Sequence, residues 1–144
     1  MSQHVTPIAT NLPSTIRQKS YNIENIHTDL VVQIYADRII ILISQLDGKI
    51  GTYLTSSVEE SIIDGSTTYH ISSLLGTRDD PLLDIYARQI TERIHKVLKH
   101  NTRSMVTCPP ILLGIAIPRT KSARETSVFN SVLNVILEMF LEAL

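Results

Sequence analysis

The chain has 144 residues, the size of one ordinary domain and enough to bury a core without disulfides or metals. Thirteen Lys and Arg against fourteen Asp and Glu give a net charge of −1, so no broad positive field exists to hold nucleic acid, and the absence of Trp removes the best stacking platform for single strands. The single cysteine, Cys108, excludes an internal disulfide and fits a reducing compartment, and the longest apolar runs, Ile39 to Ile43 and Ile111 to Ile117, fall short of the roughly 20 residues of a membrane-spanning helix.

Residues 1–13, with Pro7 and Pro13 and scattered apolar side chains, follow neither the helical nor the strand period and read as a flexible arm ahead of a single domain over 14–144. The first sixteen residues contain no Lys or Arg and no long apolar stretch, so no targeting signal is readable; a soluble cytoplasmic protein is expected, with the nucleus also open. Six β-branched segments follow, at about 14–20, 28–36, 38–46, 49–55, 58–63 and 66–72. Asp47-Gly48 and Asp64-Gly65 are two-residue hairpin signals, because both central residues of a type I′ turn need positive φ. At Asp80-Pro81 a helix begins: Asp80 is placed to accept from free N–H groups of the first turn, and Pro81 presets φ where no N–H is needed. Leu82, Tyr86, Ile90, Ile94, Val97 and Leu98 then mark a core face to about residue 99. The run Ile111 to Ile117 reads as a buried strand stopped by Pro118. A last helix opens on a capping box, Ser122 with Glu125, and carries its apolar stripe on Val128, Val132, Ile136, Met139 and Phe140.

Two-residue turns fix which side chains share a face. With turns at Asp37-Arg38 and Asp47-Gly48, Leu30, Val32, Ile34, Ile39, Ile41, Ile43, Ile50 and Leu54 point one way, and the two amphipathic helices are their natural cover. The predicted fold is therefore α/β of the α+β type: an antiparallel sheet of six or seven strands with two main helices on one face. The opposite face carries Val31, Gln33, Tyr35, Ile40, Leu42, Ser44, Leu46 and Tyr53, more apolar than a solvated face. Either a partner covers it, with Val31, Gln33, Tyr35, Ile40, Leu42 and Tyr53 as a dimer interface, or the arm or the Ile111 strand region does so internally.

No catalytic constellation stands out. Asp79 and Asp80 adjoin Pro81 and an apolar helix, which explains Asp80 as a cap without chemistry. His95 and His100 are five apart and face different ways, and no zinc spacing occurs among the histidines. Cys108 has no base near it in sequence, and Gly48 to Gly51 lacks the spacing of a phosphate loop. No metal or cofactor is expected. Arg88, Arg93, Lys96, Lys99, His100 and Arg103 make the end of the first helix basic, either to complement its dipole or to dock an acidic partner surface.

Ile39-Ile40-Ile41-Leu42-Ile43-Ser44-Gln45 leading into Gly48-Lys49-Ile50-Gly51-Thr52, then Leu74-Leu75-Gly76 with Asp79-Asp80-Pro81-Leu82, and Leu113 to Ile117 followed by Lys121-Ser122, resemble together the proteasome assembly chaperone 3 family. The likeness runs from about residue 27 to the C-terminus; the first 26 residues and Lys99 to Cys108 have no clear counterpart. It implies a non-catalytic, dimerising helper of 20S proteasome α-ring assembly, paired with a second copy or with a proteasome assembly chaperone 4-like relative. It further implies contact with α-subunits, alpha-5 among them, and release afterwards; Arg88, Arg93 and Lys96 are the candidate client-binding residues. The alternatives are a dimeric scaffold module of a trafficking or signalling complex and, behind it, an enzyme.

Overall fold

The structure is a computed structural model that describes residues 15–78, 80–101, 108–118 and 124–144. Six strands and two helices follow one another: β1 (Thr15–Ile23), β2 (Ile26–Ile34), β3 (Ile39–Ser44), β4 (Thr52–Glu60), β5 (Thr67–Leu75), α1 (Pro81–Asn101), β6 (Ile111–Ala116) and α2 (Arg124–Ala143). The strands form one sheet in the order β1-β2-β3-β6-β4-β5. All neighbours run antiparallel except β3 and β6, which are parallel.

Both helices pack on one face of this sheet. Leu30, Val32, Ile39, Ile41, Ile43, Leu54, Ile111, Leu113 and Ile115 point into the layer between, and each is almost fully buried. Above them lie Tyr86, Ile90, Ile94 and Leu98 of α1 and Val128, Val132, Ile136, Met139 and Phe140 of α2, the residues whose three- and four-residue spacing marks a helical core stripe. The helices meet where the rings of Tyr86 and Phe129 stack at 3.7 Å and 8°. Thr91 and Ser56 pair within the layer: the Thr91 hydroxyl lies 2.6 Å from that of Ser56 and donates to the Ala87 carbonyl at 2.7 Å.

Several expectations are corrected. The sheet is mixed, because β6 sits between β3 and β4, parallel to the first and antiparallel to the second; its apolar ILLGIA sequence has no charged residue to guard an edge, and the central position pairs both of its edges. The Asp47-Gly48 turn does form, with φ of 51° and 75° and the Lys49 N–H donating to the Leu46 carbonyl at 3.0 Å, but the chain from Gln45 to Gly51 bridges the width of β6 and makes no hairpin. Ile50, assigned to the core face, lies in that connection and is 47% exposed. The first turn is at Ala36-Asp37, closed by the Tyr35 N–H donating to Arg38 O at 2.9 Å. This slips the β2–β3 pairing from the Asp37-Arg38 register without changing which residues share a face, since a shift of two keeps the parity. Segments 49–55 and 58–63 are one strand, β4. At Asp64-Gly65 only Gly65 takes positive φ, and the β4–β5 turn is the longer loop 61–66. An unforeseen two-residue turn, Glu24-Asn25 with φ of 49° and 67°, joins β1 to β2. The arm over 1–13, Asp79, and Lys121 with Ser122 lie outside the described residues.

Candidate interaction surface

The sheet face away from the helices is built from two rows that cross four strands. Val31, Leu42, Gly114 and Tyr53 lie side by side on β2, β3, β6 and β4, and beside them run Gln33, Ile40, Leu112 and Thr55. Tyr35 continues past Gln33, whose side-chain amide hydrogen-bonds the Tyr35 hydroxyl. Ile16 and Gln18 of β1 extend the rows at the edge. The structure thus brings together on one face all six residues named from the hairpin registers, and each is half-buried by its neighbours alone. Among the described residues no helix crosses this side.

Gly114 shapes the floor of the patch. A Cβ there would come within 2.7 Å of Leu42 Cδ2 and 3.3 Å of Tyr53 Cε1, so its absence lets both side chains lean across β6 and close the row. Next to it the Gly48 to Ile50 turn rises over the sheet and leaves a hollow of about 260 Å³ bordered by Gln18, Val31, Leu42 and Lys49. Asp29 stands at its rim, with the Ser20 hydroxyl donating at 2.6 Å and His27 Nε2 at 3.0 Å; these contacts, the Ser20 bond first, hold its carboxyl below the usual value. Leu112, Gly114, Thr55 and Ile16 were missed in the sequence reading. The usable signal was the two-sided apolar character of residues 111–117, which suits a strand paired along both edges and puts Leu112 and Gly114 on the face opposite Ile111, Leu113 and Ile115.

The remaining named residues lie elsewhere. Asp80 caps α1: the Leu82 N–H donates to its Oδ1 at 3.1 Å, and the Asp84 N–H to its backbone carbonyl at 3.1 Å. On the helical side, the Arg88 guanidinium lies over the Tyr69 ring at 5.6 Å, Lys96 Nζ is 3.2 Å from Glu92, and Arg93 is exposed. Glu60, at the end of β4, reaches α1 at both Lys99 and His95, with His95 Nε2 2.9 Å away; the Lys99 bond first and the His95 bond second hold its carboxyl below the usual value. Burial pushes the Cys108 thiol up to about 11, which leaves little thiolate at neutral pH. Among the described residues no cluster of three His, Cys, Asp or Glu is arranged to hold a metal, and no helix is long and apolar enough to cross a membrane.

An apolar sheet face above a helix-covered core, with Asp29, Glu59 and Glu60 engaged in local pairs, is a surface arranged for contact. A curated relative from Nematostella vectensis named proteasome assembly chaperone 3 is 28% identical over 108 residues, covering 70% of this chain and 73% of that protein. The fold matches a solved structure described as a novel chaperone complex for yeast 20S proteasome assembly, with a TM-score of 0.62, 18% identity, and coverage of 88% of this chain and 98% of that one. The family model described as proteasome assembly chaperone 3 matches residues 41–139, from β3 through most of α2, and by that match over more than half its length the chain belongs to the proteasome assembly chaperone 3 family, a class that assists assembly and does not catalyse.

Proposed function

We propose that this chain works as one half of a dimer formed through the outer sheet face, and that the dimer binds proteasome α-subunits, promotes assembly of the 20S α-ring and dissociates before the particle matures. The observation that carries the reading is the row pattern of Val31, Leu42, Gly114 and Tyr53 beside Gln33, Ile40, Leu112 and Thr55: an apolar centre, with no charged side chain in either row. Five strand spacings of about 4.8 Å and strands of six to nine residues at about 3.3 Å give a face of roughly 24 Å by 20–30 Å. That is the scale of the ~800 Å² each partner contributes to a standard stable interface. The partner is a second copy or a proteasome assembly chaperone 4-like relative, and alpha-5 is the first client to test. Arg88, Arg93 and Lys96 lie on the side away from the dimer face, where they serve as a charged rim for the client.

Ile40→Asp tests the pairing, since it sets a carboxylate among apolar neighbours at the centre of the contact. The expected result is a shift from dimer to monomer in light scattering at micromolar concentration, with loss of α-subunit copurification and accumulation of incomplete α-rings on native gels of cells that carry the variant alone. A wild-type chain that stays monomeric even with its relative present, or that copurifies no α-subunit, defeats the reading in favour of a generic scaffold.

A further inference from the structure

At the far end of β4 from Tyr53 the chain turns through residues 61–66, and two adjacent isoleucines, Ile62 and Ile63, stand in solvent at 102% and 98% exposure. The next most exposed large apolar side chain among the described residues, Leu75, reaches 66%. The turn owes its shape to other residues. The Ser61 N–H donates to the Ser66 carbonyl at 2.8 Å and the Gly65 N–H to the Ser61 carbonyl at 3.0 Å; the Ile63 N–H reaches Ser61 Oγ at 3.3 Å and the Ser66 N–H reaches Asp64 Oδ1 at 3.0 Å. Backbone, serine, aspartate and glycine thus close the loop, and the isoleucine side chains contribute nothing to it.

The carboxylates at the base of the turn are engaged by neighbouring side chains. Glu59 lies 2.8 Å from His70, and Glu60 is held by Lys99 and His95. A pre-shaped apolar tip on such a base loses little on desolvation and orders no side chain but its own, which is the chemistry of an anchor that enters a socket. The tip is also set apart from the dimer rows: from Thr55, the nearest row residue on β4, to Glu60 is five residues of strand, about 16 Å. It shares its end of the hairpin with the α1 surface that carries Lys96 and Lys99.

We infer that Ile62 and Ile63 form a client-contacting tip that inserts into an apolar socket on a folded protein partner. The inference rests on the reading above for the client's identity, a proteasome α-subunit. A lipid surface is the poorer occupant, because two side chains are a small anchor and the carboxylates of Glu59 and Asp64 beside them are repelled by anionic headgroups.

The test uses the purified full-length chain, wild type and Ile62→Ser/Ile63→Ser, titrated against individual recombinant α-subunits, alpha-5 first. The double variant should keep the wild-type melting temperature and dimer mass and bind its α-subunit at least about tenfold more weakly. A photo-crosslinking residue in place of Ile63 should capture that α-subunit. Equal α-subunit binding by the two proteins overturns the tip while leaving the proposed function standing; no α-subunit binding by wild type overturns both. Loss of dimer mass in the double variant assigns the tip to self-association, and Ile-dependent flotation with phosphatidylserine vesicles assigns it to membranes; either result refutes the inference.

Discussion

Asp80 and Ile62 show how differently single residues report from sequence. Capping is a local event: Asp80 needs only the N–H groups two and four residues on, and Pro81 fixes the φ that starts the helix, so its role is legible without knowledge of the fold. Ile62 and Ile63 look like strand residues by β-branching, yet the Ser61, Asp64 and Gly65 turn overrides that preference and leaves them outside. Gly51 is a further case. Its φ of 71° and the Ile115 carbonyl standing where a Cβ would go make sense only once β6 is seen beside it. At Asp80 the expected effect of Asp80→Ala is a loss of about 1 kcal/mol in urea unfolding, with the fold and partner binding retained. A bound metal or an activity lost with that substitution in a folded protein contradicts the cap.

Among the elements, the register of β2 and β3 was readable because alternating apolar residues and short turns leave two faces to choose from, and a slip of two residues conserves the choice. The place of β6 was not, since a strand from late in the chain enters between two earlier ones, and nothing local to Asp47-Gly48 distinguishes a hairpin from a bridge over an inserted strand. The same long-range assembly joins Glu60 on β4 to His95 and Lys99 on α1. Because the Lys99 and His95 bonds lower the Glu60 carboxyl from its ordinary 4.5, they contribute stability that is fully present above about that pH and is lost as pH falls through the lower folded value. Asp29 and Asp64 are lowered too and act with the same sign. Glu60→Gln should therefore melt below wild type at pH 7, and the difference should shrink as pH falls below the ordinary carboxylate value. A difference independent of pH in thermal melts assigns the effect to packing instead.

For the whole molecule, composition and helix periodicity predict a layered α+β domain, and two sheet faces follow from it; which of them is bare depends on both helices choosing the same side. The bare face and the helical face differ in charge, and that difference is measurable. The rows through Val31, Ile40, Leu42, Leu112 and Tyr53 contain no Asp, Glu, Lys or Arg, whereas Arg88, Arg93 and Lys96 lie on the α1 side. Dimerisation driven by apolar burial has a negative heat-capacity change and little salt dependence, while contacts through exposed charges are screened over about 8 Å at physiological ionic strength. Dilution calorimetry from 10 to 35 °C should give a negative ΔCp for self-association or for pairing with the relative, with Kd changing less than about twofold between 50 and 500 mM NaCl. Association of the preformed dimer with an α-subunit should slow over the same salt range, and Arg93→Glu should reverse or abolish that salt response without altering dimer mass. Salt-sensitive dimerisation with ΔCp near zero would instead place the pairing contact on the charged helical side and free the apolar face for the client.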